Sequence, residues 1–248
     1  FVDTETTGID RRTDHIIEIA VKVLCFETSS GKILSVEGSY ESFNDPEEDI
    51  STEITLLTGI ENKMVDGKFI DWNEVDALFQ GVDIIIAHNA SFDRAFIDRF
   101  SSISPSKVWA CSINDIDWLE RGFTSSKQEL LCYWHGFYFD AHRAMNDVDA
   151  LIHLLTFETG LERPLLELIK NSNKSEFVIY AEHFKYDPFK KDILKGNKYR
   201  WNPNDKIWFK KVNLDELEHE KDWLTATIYD QVFKGRVEEI TPSTKYKL

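Results

Sequence analysis

Two carboxylates stand one residue apart near the start of the chain, in the stretch FVDTETTG, which contains Asp3 and Glu5. If this stretch forms a β-strand, the two acids share one face, because residues two apart point the same way. Like charges this close repel unless a cation lies between them, and oxygen ligands suit Mg²⁺ or Mn²⁺. The alternative is an edge strand with two solvated acids, since a single D-x-E is common. A metal site therefore requires further ligands elsewhere in the chain.

Two later stretches contain groups of the required types. The first, AHNASFDRAFI, occupies residues 87–97, follows a short apolar strand and begins a helix with Asp93 in its first turn. The second, AHRAMNDVDAL, occupies residues 141–151 and places His142 just before a helix and Asp147 inside it. A histidine before a helix and an acid one turn into it can face a common centre. The four acids and His142 are therefore candidates for one shared site.

Taken together, these motifs resemble the DEDDh exonuclease family, which includes the epsilon proofreading subunit of bacterial replicative DNA polymerase and the RNase T-like exonucleases. The family motif D-x-E-T-T-G matches residues 3–8, H-N-A-x-F-D matches residues 88–93, and H-R-A-x-x-D matches residues 142–147. A weaker match is LTGIENKMV, residues 57–65, which departs from the family at Glu61, where threonine is frequent. The resemblance covers about residues 1–160 and rests on three motifs in the family's order.

The resemblance implies a ribonuclease H-like fold and a 3′→5′ exonuclease that removes nucleoside monophosphates from single-stranded DNA. Asp3, Glu5, Asp93 and Asp147 would hold two divalent cations, Mg²⁺ or Mn²⁺, with Asp3 bridging both. His142 would be the general base that takes the proton of the attacking water. The implied substrate contacts are Thr6, Thr7, Gly8, Thr58, Gly59, Ile60, Asn89 and Phe92, with Ile60 as an apolar wedge against the base.

Some of these residues have alternative structural roles. His88 and Asn89 could tie a strand end to the following helix by hydrogen bonds, and Phe92 on an amphipathic helix could belong to the core. Glu18 could be a buried acid beside the metal ligands. The same carboxylates would serve an exoribonuclease, and a catalytically silent nucleic-acid-binding module is a further alternative. The expected partners are nucleic acid with a free 3′ end and a DNA polymerase or repair protein.

Composition narrows the class of protein. The 248 residues carry a net charge of −15, which argues against non-specific binding of polyanions by the whole surface. The three cysteines, Cys25, Cys111 and Cys132, form no C-x-x-C pair, so the sequence predicts no disulfide framework or zinc site and favours the reducing cytoplasm. No apolar run approaches the roughly 20 residues of a membrane helix, so no membrane partner is expected.

The order of predicted elements favours an α/β fold, a central mixed sheet flanked by helices, followed by a small α+β module. Strands are predicted at 1–5, 15–25, 33–43 and 82–87, and helices at 74–79, 91–100, 127–135 and 144–158. The acidic segment 44–53 is predicted to be a loop. We expect an exonuclease domain over residues 1–165, a linker over 166–175, and a basic, aromatic domain over 176–248.

The last domain concentrates positive charge in an acidic chain. Residues 185–211 contain nine Lys or Arg and three Asp, a net charge of +6, interleaved with Tyr186, Phe189, Tyr199, Trp201, Trp208 and Phe209. YRWNPNDKIWFKKV predicts a hairpin, and a helix is expected from Asn213 to about Tyr229. Alternating cations and rings suit single-stranded nucleic acid. The alternatives are that the rings form the core of this domain, or that the module docks on another protein.

Overall fold

The computed structural model describes residues 1–158, 162–185, 187–229 and 231–247. Tyr186, one of the predicted basic-segment aromatics, lies outside these residues. The chain divides into two compact units. Unit 1 comprises Phe1–Asn173 together with Ser243–Leu248, and unit 2 comprises Lys174–Pro242.

An antiparallel sheet carries the first acidic motif of unit 1. Its strands are β1 (Val2–Thr6), β2 (Ile16–Phe26) and β3 (Ile33–Phe43), which lie side by side in that order. Along β1, Val2, Thr4 and Thr6 are buried while Asp3 and Glu5 are partly exposed, so the two acids do share a face. β2 is rich in β-branched residues and almost wholly buried in its first half, which suits a central strand.

A parallel pair of strands, β4 (Ile84–Ala87) and β5 (Val108–Cys111), extends the same core. Val2 of β1 lies in one buried cluster with Ile85 of β4 and Trp109 of β5. The antiparallel and parallel strands are hydrogen-bonded as two separate sheets. The expected mixed α/β class is confirmed.

Seven α-helices are found in the described part of unit 1. Their bounds are α1 (Thr52–Thr58), α2 (Asn62–Val65), α3 (Trp72–Gln80), α4 (Ala90–Ile97), α5 (Gln128–Trp134), α6 (Ala144–Thr156) and α7 (Pro164–Ser172), with a 3₁₀ turn at Ser104–Ser106. The sequence predicted α3 to α6 but not α1, which begins inside the expected loop. The Ser51 hydroxyl accepts a hydrogen bond from the Ile54 amide and caps α1. Gly59 ends α1 in the left-handed region, at a φ of 72°.

The expected linker over 166–175 is mostly helix. Pro164 occupies the first turn of α7, a position that needs no backbone donor. Leu165 and Leu168 are buried against Leu151 and Leu155 of α6. Because these contacts anchor α7 in unit 1, the boundary between the units falls at Asn173 and Lys174.

Unit 2 is a four-stranded antiparallel sheet with two helices. Its elements are β6 (Glu176–Ala181), α8 (Pro188–Gly196), β7 (Arg200–Asn202), β8 (Ile207–Asn213), α9 (Leu214–Thr227) and β9 (Arg236–Ile240), and the strand order is β7-β8-β6-β9. The predicted hairpin is β7–β8, and the predicted helix is α9, capped by Asn213. Tyr199 and Trp208 are core residues, whereas Phe189 and Trp201 are exposed. β9 was not predicted.

The last residues return to unit 1, which corrects the expected boundary of 176–248. The Arg94 guanidinium, fully buried on α4, donates to the carbonyl oxygen of Lys245 at 2.6 Å and to that of Ser243 at 2.9 Å. The Lys245 ammonium lies 3.4 Å from the Asp115 carboxylate. Burial of the two cations with these acceptors fixes the tail on unit 1. In the described residues, no helix combines the length and apolar character that a membrane crossing requires.

Candidate metal centre and active site

Three of the four predicted acids converge at one point. β1 presents Asp3 and Glu5 on its partly exposed face, and the first turn of α6 presents Asp147. One ligand oxygen of each acid lies within 4.8 Å of the others, and this is the group that could hold a metal ion in the described residues. Carboxylates at this spacing fit a hard divalent cation such as Mg²⁺ or Mn²⁺, which prefers oxygen ligands.

Asp93 lies beside this group and is held there by β1. Its Oδ1 accepts hydrogen bonds from the Thr4 backbone N–H at 3.0 Å and from the Thr4 hydroxyl at 2.9 Å. Thr4 therefore joins the second motif to the first, between Asp3 and Glu5. The D-T-E pattern contained this residue, but its partner 89 positions away could not be found from local spacing.

The third motif folds into a bend that enters α6. His142 adopts a left-handed conformation, with a φ of 65°, two residues before the first residue of α6. Asp147 Oδ2 accepts a hydrogen bond from the Arg143 N–H at 3.1 Å, which satisfies one of the unpaired donors at the helix start. His142 also lines a cleft of about 280 Å³ together with Glu129 and Tyr138. The structure thus brings His142 and Asp147 to one end of α6.

Glu18 clamps this bend to the central strand. It lies opposite Glu5 in the β1–β2 register and is 1% exposed. Its carboxylate accepts hydrogen bonds from the Arg143 guanidinium, at 2.8 and 3.2 Å, and from the Ala144 N–H at 2.9 Å. Charge-assisted bonds from two guanidinium nitrogens, together with a helix-terminal amide, thus fix the junction between motif and helix. The suggestion that Glu18 is a buried acid near the site gains a specific role here.

Mutual repulsion and burial destabilise the ionised acids in the absence of a cation. Burial, followed by the charges of Asp93 and Asp147, raises the pKa of Asp3 well above its usual value. Burial and the Asp147 charge raise the pKa of Glu5 to about 8, and burial raises that of Asp93 to about 7. Burial also raises the pKa of Asp147 to about 6, against the opposing effects of the Arg143 amide and the His142 charge. Such a group favours a bound cation, which relieves the repulsion.

The residues after the first acids are tied into a turn. The Thr6 hydroxyl donates to the Gly8 carbonyl at 2.6 Å, and the Thr7 hydroxyl accepts from the His15 N–H at 3.0 Å. A Cβ at Gly8 would come within 2.4 Å of the Asp14 carboxylate, so a larger residue there would have to displace that side chain. These residues lie at the end of β1 that carries the acids, which is compatible with their predicted role in substrate binding.

Ile60 was expected to contact the terminal base as an apolar wedge, but the structure places it in the core. It is fully buried in a cluster with Ile17, Ile50 and Val65, so it presents no surface to a base. Thr58 is also buried, and its hydroxyl bonds the backbone at Ile54 and Ile60. The T-G-I pattern ends a helix and closes a small core here. The exposed apolar residues of this region are Leu56 and Leu57 on α1.

In the second motif, His88 and Phe92 stabilise the fold, whereas the side chain of Asn89 is exposed. His88 Nδ1 lies 3.2 Å from the Ser112 hydroxyl, and burial lowers the pKa of His88 to about 4, so this imidazole is neutral. Phe92 packs on the core cluster, with its ring 5.1 Å from that of Phe96. Asn89 is exposed at the start of α4. His88 and Phe92 thus follow the structural alternative, and Asn89 keeps an accessible side chain.

We expect Glu18→Gln to lower the free energy of unfolding by about 2 kcal/mol, because it leaves the Arg143 guanidinium without its charged partner. It should also lower kcat more than it changes KM, since the bend that carries His142 loses its anchor. Chemical denaturation and steady-state kinetics measure the two effects.

Glu37→Gln on the exposed part of β3 is the matched control for Glu18→Gln. In a double-mutant cycle, Glu18→Gln with Arg143→Met should cost less than the sum of the single changes. Strict additivity would show that the two residues do not act as a pair.

Unit 1 thus combines a mixed α/β fold with carboxylates gathered at its first strand and at the start of α6. Residues 1–155 match the exonuclease family RNase_T, so the chain belongs to this exonuclease family. The expected recognition is thereby confirmed.

A DNA polymerase III of PolC type from Thermotoga petrophila is 29% identical over 217 residues, which cover 79% of this chain and 14% of the polymerase. The chain also matches PolC-type polymerases from Listeria welshimeri and Halalkalibacterium halodurans, of which it covers 6% and 13% of the length. The chain therefore corresponds to a small part of these curated relatives.

Two solved structures share the fold. Exonuclease I has a TM-score of 0.55 at 16% identity, with 98% of this chain and 62% of that chain covered. A 3′-exonuclease that recognises the 3′ end of a histone mRNA stem-loop has a TM-score of 0.52 at 17% identity, with 67% of this chain and 64% of that chain covered.

Proposed function

We propose that this protein is a metal-dependent 3′→5′ exonuclease that hydrolyses the terminal phosphodiester of single-stranded DNA. The observation that carries the proposal is the convergence of Asp3, Glu5 and Asp147 within 4.8 Å, in a chain of the exonuclease family. Carboxylates with strongly raised pKa values are typical of functional sites.

The chain's own residues divide the chemistry among them. Asp3, Glu5 and Asp147 would hold one divalent cation, Mg²⁺ or Mn²⁺, and Asp93 with Asp3 would contribute to a second. When bound, such cations neutralise phosphate charge and lower the pKa of the attacking water. The His142 imidazole takes the proton of that water, and its position beside the helix that bears Asp147 supports this role.

DNA is the favoured substrate because the curated relatives are DNA polymerases. Ribonucleic acid is the second candidate, since one structural relative acts at the 3′ end of an mRNA. A proofreading or repair role with a polymerase partner belongs to the same proposal. Thr6, Thr7, Gly8 and Asn89 are the proposed contacts to the terminal nucleotide.

The test uses 5′-labelled single-stranded DNA and RNA of one sequence, each incubated with Mg²⁺, with Mn²⁺ and with chelator. The expected result is a ladder that shortens from the 3′ end only in the presence of metal, with DNA degraded faster than RNA. Faster degradation of RNA would transfer the proposal to an exoribonuclease. If neither polymer shortens, the catalytic assignment fails.

A further inference from the structure

One face of the sheet in unit 2 is not covered by its helices. Side chains alternate along each strand, and Ile179, Ala181, Trp208 and Val212 face α8 and α9 in the core of this unit. Leu194 of α8 is a buried member of this cluster. The opposite face carries the intervening residues of the same strands, which are exposed or partly exposed apart from the buried Val178. We call this opposite face the open face.

Four residues of the open face form a single row across all four strands. Arg200 of β7 pairs with Phe209 of β8, Phe209 pairs with Tyr180 of β6, and Tyr180 pairs with Arg236 of β9. Directly opposed residues on adjacent strands have Cβ atoms about 4.5–5.5 Å apart. The row therefore places two aromatic rings side by side, with a guanidinium at each end.

The two rings are accessible and lie outside the buried clusters. Phe209 and Tyr180 are half-buried, and the described clusters of unit 2 contain neither. The Arg236 guanidinium lies over the Tyr180 ring, 3.9 Å from its centroid, so it adds a planar cation to the row. Aromatic rings and arginine planes on an open sheet are the groups on which unpaired bases stack.

Positive charge is concentrated at one edge of this face. At the β9 edge, Arg236 lies 3.4 Å from Glu182 and 3.1 Å from Glu238, so its charge is balanced. At the β7 edge, Arg200, Lys198 and Lys206 are exposed, and no described carboxylate lies within ion-pair distance of them. An unneutralised cationic edge beside stacking rings matches a phosphate backbone with its bases turned inward.

We propose that the open face of unit 2 binds single-stranded nucleic acid, with bases on Phe209 and Tyr180 and phosphates along the β7 edge. The identity of the ligand rests on the proposed function, because the substrate of an exonuclease is the strand that such a face would hold. Binding here is chemically independent of the carboxylates of unit 1.

The test is fluorescence anisotropy of a labelled oligothymidylate with the full chain, in chelator so that no hydrolysis occurs. Tyr180→Leu and Phe209→Leu keep apolar bulk but remove the stacking surface, and together they should weaken binding at least about tenfold. Arg200→Gln, which is exposed and should leave folding intact, should lower the slope of log affinity against log salt by about 0.7.

The control is Lys195→Gln, which removes an exposed charge from α8 at the helix-covered side. This variant should bind the oligothymidylate with the affinity and the salt slope of the unchanged protein. Native affinity and salt slope in the Arg200 and ring variants would overturn the proposal and leave a protein partner as the occupant of the face. Because the readout is binding in chelator, this failure is distinct from the absence of metal-dependent shortening, which would overturn only the proposed hydrolysis.

Discussion

Asp147→Asn is expected to lower the rate of nucleotide release at least about 100-fold, since a lost metal ligand removes several kcal/mol of transition-state stabilisation. Asparagine keeps the shape of the side chain and can still accept the hydrogen bond of the Arg143 N–H. The bend before α6 should therefore keep its geometry, and the effect should fall on cation binding. Single-turnover rates with saturating Mn²⁺ measure it.

The same substitution should raise the melting temperature in chelator at pH 8. The raised pKa of Asp147 means that its ionised form is unfavourable beside the other acids, and asparagine removes that charge. Asp149→Asn is the matched control, because Asp149 is exposed on the same helix and forms an ion pair with Lys22. Native activity in Asp147→Asn, or an equal loss in the control, would refute the assignment of Asp147 as a ligand.

The stability of the metal-free protein should fall as the pH rises from 5 to 8.5. Asp93, Asp147 and Glu5 have folded-state pKa values of about 7, 6 and 8, all above those of an unfolded chain. Between these limits the folded state binds more protons than the unfolded state, so the free energy of unfolding decreases with pH. The site should contribute a few kcal/mol, or a fall in melting temperature of at least about 5 °C.

Calorimetry in chelator across this pH range measures the effect. Saturating Mn²⁺ should remove most of the fall, because a cation that binds the ionised acids stabilises the folded state. Asp3→Asn should flatten the metal-free profile, since burial and the charges of Asp93, Asp147 and Glu5 raise the pKa of Asp3 itself well above its usual value. A metal-free profile that rises toward pH 8.5 would contradict the arrangement of charges described above.

Local sequence patterns were sufficient to predict the candidate metal ligands and His142. The contacts between residues distant in sequence could be seen only in the structure. Alternation on β1 placed Asp3 and Glu5 on one face, and helix periodicity placed Asp147 near His142. The bond between Glu18 and Arg143 joins positions 125 apart, and no spacing rule reports such a pair. Ile60 was assigned from a motif, but the burial of this isoleucine depends on Ile17 and Ile50, which the motif does not include.

In unit 2, too, local structure could be predicted from the sequence but side-chain packing could not. Alternation and the turn residues were sufficient to predict the β7–β8 hairpin. They could not show which rings fill the core, because the direction of each side chain depends on where α8 and α9 pack. The return of the tail to unit 1 depends on Arg94, a buried cation that the sequence presents as an ordinary helical arginine.

Unit 2 is inserted in the chain of unit 1, whose residues precede and follow it in the sequence. Glu176 and Ile240, each two residues inside a boundary of the unit, are directly paired on neighbouring strands, with Cα atoms about 5 Å apart. Segments with adjacent ends can be excised and spliced with a few residues, because the host needs no rearrangement to close the gap. A chain simply stopped at Asn173 would instead lose Ser243 and Lys245, and with them two acceptors of the Arg94 guanidinium. The catalytic unit is therefore best isolated by excision of unit 2, with the terminal segment retained.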